Sequence, residues 1–290
     1  MSQERKVAVV TDSGTSIRPE DKLAKEYGVT IVPLEIKFYE NGEFVSYADL
    51  DITPQEFYDR MRSSEKIPQT SGAVPGRICE IYNKLAKKTD SIISVHITSK
   101  HSVAWESAVL GKNLAEEDNP ELLIEVIDSG QISIGTWWPA QIAAGLSQLG
   151  AGIEEIKEEV LEAITKIELR AVLESFENLK KGGRAREIAK AYFASLLKIY
   201  PVIGLKRGKL TMFDRERTAS KARQRMVEMV GDAGELVRVA LLHTNALELA
   251  KGVKESLAKI YKKPIPIFEA GTVLGVHAGE GAVGVAFQKS

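Results

Sequence analysis

Apolar, β-branched runs alternate with stretches of helical period through the first half of this chain. That alternation admits few folds other than a parallel sheet whose strands are joined by crossover helices. Strands are expected over 7–10, 29–38, 91–97 and 122–127, and helices over 19–27, 54–61, 75–88, around 105–114 and over 133–149. Gly28 and Gly150 sit where a left-handed residue ends a helix, and Pro54 and Pro75 open helices at a position whose N–H has no helical partner to lose. Asn41-Gly42 predicts a tight hairpin after the second strand.

The second half changes character. Strand candidates at 169–176, 202–206, 210–213, 236–242, 265–268, 273–277 and 283–287 are only partly separated by helices, expected over 186–197, 218–230 and 246–261. With Arg207-Gly208-Lys209 read as a hairpin turn, this half predicts a mixed sheet. The expected class is therefore α/β in two domains: an N-terminal, mostly parallel sheet domain over 1–160 and a C-terminal mixed-sheet α/β domain over 161–290, parted near the acidic helix at 153–164.

Composition narrows the function classes. The 290 residues, 44% of them hydrophobic, can bury a core for each domain. Lys and Arg total 39 against 40 Asp and Glu, so no overall field draws the chain to nucleic acid or to an anionic membrane. Cys79 is the single cysteine, which removes any internal disulfide or cysteine-rich metal knuckle. The opening Met1-Ser2-Gln3-Glu4-Arg5-Lys6 enters a strand-like run at once and leaves no room for a signal peptide, and no stretch is long enough to span a bilayer. A cytoplasmic protein that is not an integral membrane protein is expected.

Four short polar loops follow apolar runs: Thr11-Asp12-Ser13, Gln69-Thr70-Ser71-Gly72, Thr98-Ser99-Lys100-His101-Ser102 and Asp128-Ser129-Gly130. Ligands of open α/β sheets sit outside the carboxyl ends of the strands, so such loops converge on one crevice. These loops are rich in hydroxyls and offer donors in place of a nucleophile–base pair. Thr70-Ser71 and Ser102, each followed by a helix start, together suit an anionic group.

Other motifs have plainer readings. Gly279-Glu280-Gly281-Ala282-Val283-Gly284 matches the GxGxxG string of dinucleotide-binding folds, but too little chain follows it to form the helix that would hold a pyrophosphate; a glycine turn between two closing strands is expected. Asp12 and Asp128 suit helix caps. Asp12 also carries the alternative reading, a metal-dependent phosphotransferase or small-molecule kinase that uses this aspartate and the helix N-termini, although Gly14 stands where a second aspartate would serve phosphoryl transfer and no Walker-type loop is present. Among His96, His101, His243 and His277, the last is set among small residues and has little packing to do. Trp137-Trp138 suits core or interdomain packing.

The ordered set Val10-Thr11-Asp12-Ser13, Gln69-Thr70-Ser71, Ile97-Thr98-Ser99-Lys100-His101-Ser102 leading to Glu106-Ser107-Ala108, Asp128-Ser129, Leu179-Lys180-Lys181-Gly182-Gly183-Arg184 and Gly275-Val276-His277-Ala278-Gly279-Glu280-Gly281 resembles the DegV family of fatty-acid-binding proteins, from about Lys6 to Phe287. The resemblance implies a carrier that holds one long-chain fatty acid, such as palmitate or stearate, in a tunnel between two domains. Thr70, Ser71, Ser102 and His277 would bind its carboxylate, and Arg184, Ser13 and Val103 would lie near that headgroup. It further implies no catalytic residue, no cofactor and no metal in this chain, and a separate ATP-dependent fatty acid kinase that phosphorylates the presented acid. Three places depart from the family pattern: Val103-Ala104 replaces a usual Gly-Thr, Gly72-Ala73-Val74-Pro75 replaces a usual Gln-Pro-Ser, and Tyr200 replaces a common lysine before Pro201.

Overall fold

The structure, a computed structural model, describes residues 7–185, 188 and 199–290. In chain order the elements are β1 (Ala8–Asp12), α1 (Lys22–Tyr27), β2 (Thr30–Val32), β3 (Glu35–Glu40), β4 (Glu43–Ala48), α2 (Pro54–Ser63), β5 (Gln69–Ser71), α3 (Pro75–Ala86), β6 (Ser91–His96), α4 (Ala104–Asp118), β7 (Leu123–Asp128), α5 (Ile134–Leu149) and α6 (Ile153–Lys166). There follow β8 (Ile167–Val172), α7 (Glu177–Lys181), β9 (Tyr200–Lys206), β10 (Lys209–Glu216), α8 (Ala219–Gly231), β11 (Leu236–His243), α9 (Leu247–Leu257), β12 (Ile267–Glu269), α10 (Thr272–Ala278) and β13 (Val283–Lys289). The helix expected over 186–197 lies outside the described residues, Ile188 excepted. Among the described residues no helix is long and apolar enough to cross a membrane.

Two compact units emerge, and the chain visits them in turn. Among the described residues, unit 1 comprises 7–35, 48–50 and 71–165, and unit 2 comprises 36–47, 51–70 and those from 166 onward. A single cut at 160/161 was the sequence expectation, whereas the observed units are discontinuous. One consequence is that Thr70 belongs to the same unit as His277, while Ser71 belongs to unit 1.

Unit 1 is built on a four-stranded sheet in the order β2-β1-β6-β7, every neighbouring pair parallel. Its central strands are largely buried on both faces, as a sheet flanked by crossover helices requires, although β1 and β6 carry the buried polar residues Thr11, Asp12, Ser94 and His96. Only Ser91 of β6 escapes burial, and Trp137 and Trp138 of α5 are both buried. The expected strand over 29–38 is two strands. Pro33-Leu34 interrupts it because proline offers no N–H to the ladder, and Leu34 pairs instead with Ser13 and Asp49.

Unit 2 carries a six-stranded sheet, β10-β9-β8-β13-β11-β12, antiparallel except for β11 with β12. Val172, Val202, Leu241, Val285 and Phe287 from the strands pack with Met226 and Val230 of α8 and Val253 and Leu257 of α9 to form its main core. A smaller sheet, β4-β3-β5, follows from the Asn41-Gly42 hairpin, both of whose residues take the positive φ that such a turn demands (50° and 94°). Ile36, Phe38, Ile52, Phe57 and Tyr58 make its core together with Val276.

That last contact corrects the sequence reading, because 273–277 is not a strand but part of α10. A short apolar run is ambiguous between the two states until its neighbours are known. Here the neighbour is α2: Gly275 lies so close to it that an added Cβ would stand 2.6 Å from Phe57 Cε1 and 2.9 Å from the Tyr58 hydroxyl. The glycine run at 279–284 therefore joins a helix to β13, not two strands.

Candidate functional site

The polar loops of unit 1 divide into sealed and open groups. Asp12, at the end of β1, is fully buried, and its carboxylate accepts from Gly14 N (2.9 Å), Ile97 N (3.1 Å) and the Nδ1 edge of His96 (2.9 Å). His96 Nε2 meets Ser94 Oγ at 2.7 Å, and Tyr82 of α3 donates to Ser94 at 2.7 Å. Ser94 and His96 are two apart on β6 and so share a face. The result is a chain of donors from Tyr82 through Ser94 and His96 to Asp12 that ties β1, β6 and α3 together. Asp12 has no open acceptor facing solvent, which gives the phosphotransferase alternative no support. Among the described residues no group of three or more His, Cys, Asp or Glu side chains is placed to hold a metal ion.

Ser13 is sealed as well. Its hydroxyl donates to Asp49 Oδ1 at 2.8 Å and accepts from Leu34 N at 3.0 Å. Burial pushes the Asp49 carboxyl up to about 7, with the Asp12 charge adding to the rise and the Ser13 hydrogen bond opposing it. Asp128, at the end of β7, caps backbone rather than reaching outward: it accepts from Ser99 N (3.2 Å), Ser99 Oγ (2.6 Å) and Gly130 N (2.8 Å). Asp12, through Ile97 N, and Asp128, through Ser99, thus hold the start of the loop that leads to Ser102.

The open group of unit 1 is Ser71, Ser102 and Val103. Ser102 Oγ accepts from Ala104 N at 3.1 Å, which leaves its O–H as a donor. Ser71 is arranged differently, since its hydroxyl donates to Glu35 Oε2 at 2.9 Å. The two loops touch at Gly72, where an added Cβ would lie 2.6 Å from Val103 Cγ2 and 3.3 Å from Ser107 Oγ. Two of the three departures from the family pattern are therefore neighbours: the bare Gly72 gives room to the larger Val103, which remains 57% exposed.

In unit 2, Thr70 Oγ1 on β5 and His277 Nε2 on α10 share a hydrogen bond of 2.9 Å, both side chains being only partly buried. The imidazole rests on the turn after α7: a Cβ at Gly182 would lie 2.6 Å from His277 Nδ1. Arg184, from the same turn, donates from Nη1 to Gly182 O at 2.7 Å, and burial pulls its pKa below the usual arginine value. Thr70, His277, Gly182 and Arg184 are thus linked by successive contacts although 207 positions separate the first two. His243, by contrast, accepts at Nδ1 from Ala246 N (3.3 Å) at the start of α9, and burial lowers its pKa.

Sequence reasoning missed the Asp12–His96–Ser94–Tyr82 chain, Asp49, Glu35 and Gly182. The only local hint for the first was the placement of Ser94 and His96 on one strand face; Gly182 stood only within the family-like string 179–184, with no role assigned, and for Asp49 and Glu35 the sequence carries no hint.

Comparison with known proteins agrees with this architecture. A family model described as "Uncharacterised protein, DegV family" matches residues 6–290. A DegV domain-containing protein of Caldanaerobacter subterraneus is 33% identical over 291 residues, covering 98% of this chain and 99% of that one. Among solved structures, DegV of Bacillus subtilis, described as a fatty acid binding protein, superposes with a TM-score of 0.86 at 26% identity, over 99% of this chain and 100% of its own. A DegV family protein of Ruminococcus gnavus, solved with vaccenic acid, gives 0.85 at 26% identity, over 98% and 100% of the two chains. This α/β chain belongs to the DegV family.

Proposed function

We propose that this protein binds a long-chain fatty acid and holds the carboxylate at the Thr70–His277 pair, the observation that carries the reading. With the imidazole proton on Nε2 donated to Thr70 Oγ1, the threonine O–H is left to donate to the carboxylate. Ser102 supplies a further O–H, and Arg184 supplies positive charge behind the pair. Ser71 contributes less, since its hydroxyl is directed at Glu35. Ser13 and Val103 act by shaping the surroundings, the first through Asp49 and Leu34, the second as an apolar neighbour of Ser102.

The energetics are consistent with such a ligand. Burying roughly 14 methylenes at about 0.8 kcal/mol each yields on the order of 11 kcal/mol before ordering costs. An ionised carboxylate withdrawn from water without partners costs several kcal/mol, so donors at its tip are a condition of binding. Relatives solved as fatty-acid-binding proteins, one with vaccenic acid, support the ligand class. On this reading the chain is a carrier without a catalytic residue, and a separate ATP-dependent kinase would act on the presented acid.

Mass spectrometry of the denatured, purified protein tests the reading. Co-purified acids of myristate to stearate length are expected. Their absence after expression in lipid-replete cells, together with no uptake of added palmitate, would overturn it.

A further inference from the structure

Gly182 has no conformational reason to be glycine. Its φ of −72° and ψ of −6° are ordinary right-handed values that any L-residue adopts. What its missing side chain provides is first of all space for one ring: an added Cβ would stand 2.6 Å from His277 Nδ1 and 3.1 Å from His277 Cε1, with the Asn178 carbonyl oxygen, also at 3.1 Å, as its other near neighbour. The floor under that ring is fixed. Gly182 N donates to Asn178 O at 2.9 Å, Gly183 N donates to Lys180 O at 3.1 Å, and Arg184 donates to Gly182 O. The helix that carries His277 cannot retreat either, because Gly275 already lies against Phe57 and the Tyr58 hydroxyl on the other side. A methyl group at 182 would be absorbed by the one movable part, the imidazole, which would rotate away from Thr70.

We infer that Gly182 is a positioning residue for the proposed carboxylate site: by bringing bare backbone against the His277 ring it sets the orientation in which Nε2 meets Thr70. This rests on the fatty-acid reading for its functional consequence, but not for the geometry it asserts.

The test uses full-length, delipidated protein and two readouts: NMR of the histidine ring nitrogens without ligand, and palmitate affinity. Gly182→Ala is expected to shift the His277 resonances and to weaken palmitate binding about tenfold. In a His277→Ala background the same substitution is expected to change affinity no further, because the atoms it displaces are gone. Lys181→Ala, on the exposed side of the same turn, is expected to change neither readout. Unmoved His277 resonances in Gly182→Ala, or an equal loss of affinity in both backgrounds, would overturn the inference. Should Gly182→Ala fail to fold, the double variant decides. Recovery of folding upholds the ring contact, and continued misfolding overturns it in favour of the Asn178 carbonyl, 3.1 Å from the same Cβ. Protein that binds no palmitate refutes the fatty-acid reading, while the ring resonances still decide the role of Gly182.

Discussion

Two histidines of this molecule each meet a hydroxyl at Nε2, and they serve different ends. His96 in unit 1 is 1% exposed, lies between Ser94 and Asp12, and belongs to a donor chain that begins at Tyr82. His277 in unit 2 is partly buried, meets Thr70, and rests on a bare glycine at the end of a five-residue helix. A fully buried and fully satisfied network raises the cost of any rearrangement and so fixes a fold. The same chemistry at a partly open position leaves hydrogen-bonding capacity for a visitor. Burial and the completeness of the surrounding network, not residue type, separate the sealed imidazole of His96 from that of His277, the one placed at the proposed site.

The sharpest way to break this contrast is Asp12→Ala. It strands three buried donors, so a loss of about 3–5 kcal/mol in urea unfolding is expected. His277→Ala in the same assay should cost no more than about 1 kcal/mol. Comparable losses at both positions would erase the distinction.

Next in size is the pH dependence set by Asp49 beside Ser13. Its folded pKa, near 7, lies above the ordinary 3.8, so the native state holds a proton that the unfolded state has lost between those values. The stability this group supports is fully present below about pH 4, falls as pH rises at up to about 1.4 kcal/mol per unit, and is lost above about pH 7. Asp49→Asn should flatten that decline and raise stability at mildly alkaline pH. An unchanged profile would show that Asp49 titrates elsewhere.

At the open site the effects move from stability to binding. Thr70→Val preserves shape and removes the hydroxyl shared with His277, and a loss of about tenfold or more in palmitate affinity is expected from calorimetry. Smallest is the contrast between two serines of unit 1. Ser102→Ala should weaken binding by roughly 1 kcal/mol, whereas Ser71→Ala should stay within about 0.5 kcal/mol because its O–H is directed at Glu35. Equal losses at the two serines would place Ser71 on the ligand.

Much of this was legible in the chain. The parallel sheet followed from apolar runs alternating with helical ones, the hairpin from Asn41-Gly42, and the mixed sheet of the second half from strands only partly separated by helices and the turn at Arg207-Gly208-Lys209. The family likeness implied that Thr70 and His277 serve one carboxylate but not that they pair with each other, and the local sequence assigned 273–277 to the wrong state, because so short an apolar run carries no period that separates strand from helix. Ser71 and Ser102 looked alike in sequence, and only their neighbours, Glu35 and Ala104, distinguish them.

The sequence by itself determined most of the elements and their order, the α/β class and which loops carry hydroxyls, since these depend on local periodicity and turn chemistry. The tertiary structure alone decided which of those hydroxyls and imidazoles are closed off. Such decisions rest on contacts between residues far apart in the chain: Tyr82 and Asp12 on either side of His96, Glu35 beneath Ser71, and the empty side of Gly182 against His277. Close packing fixes those contacts to within fractions of an ångström, and no local pattern of residues encodes them.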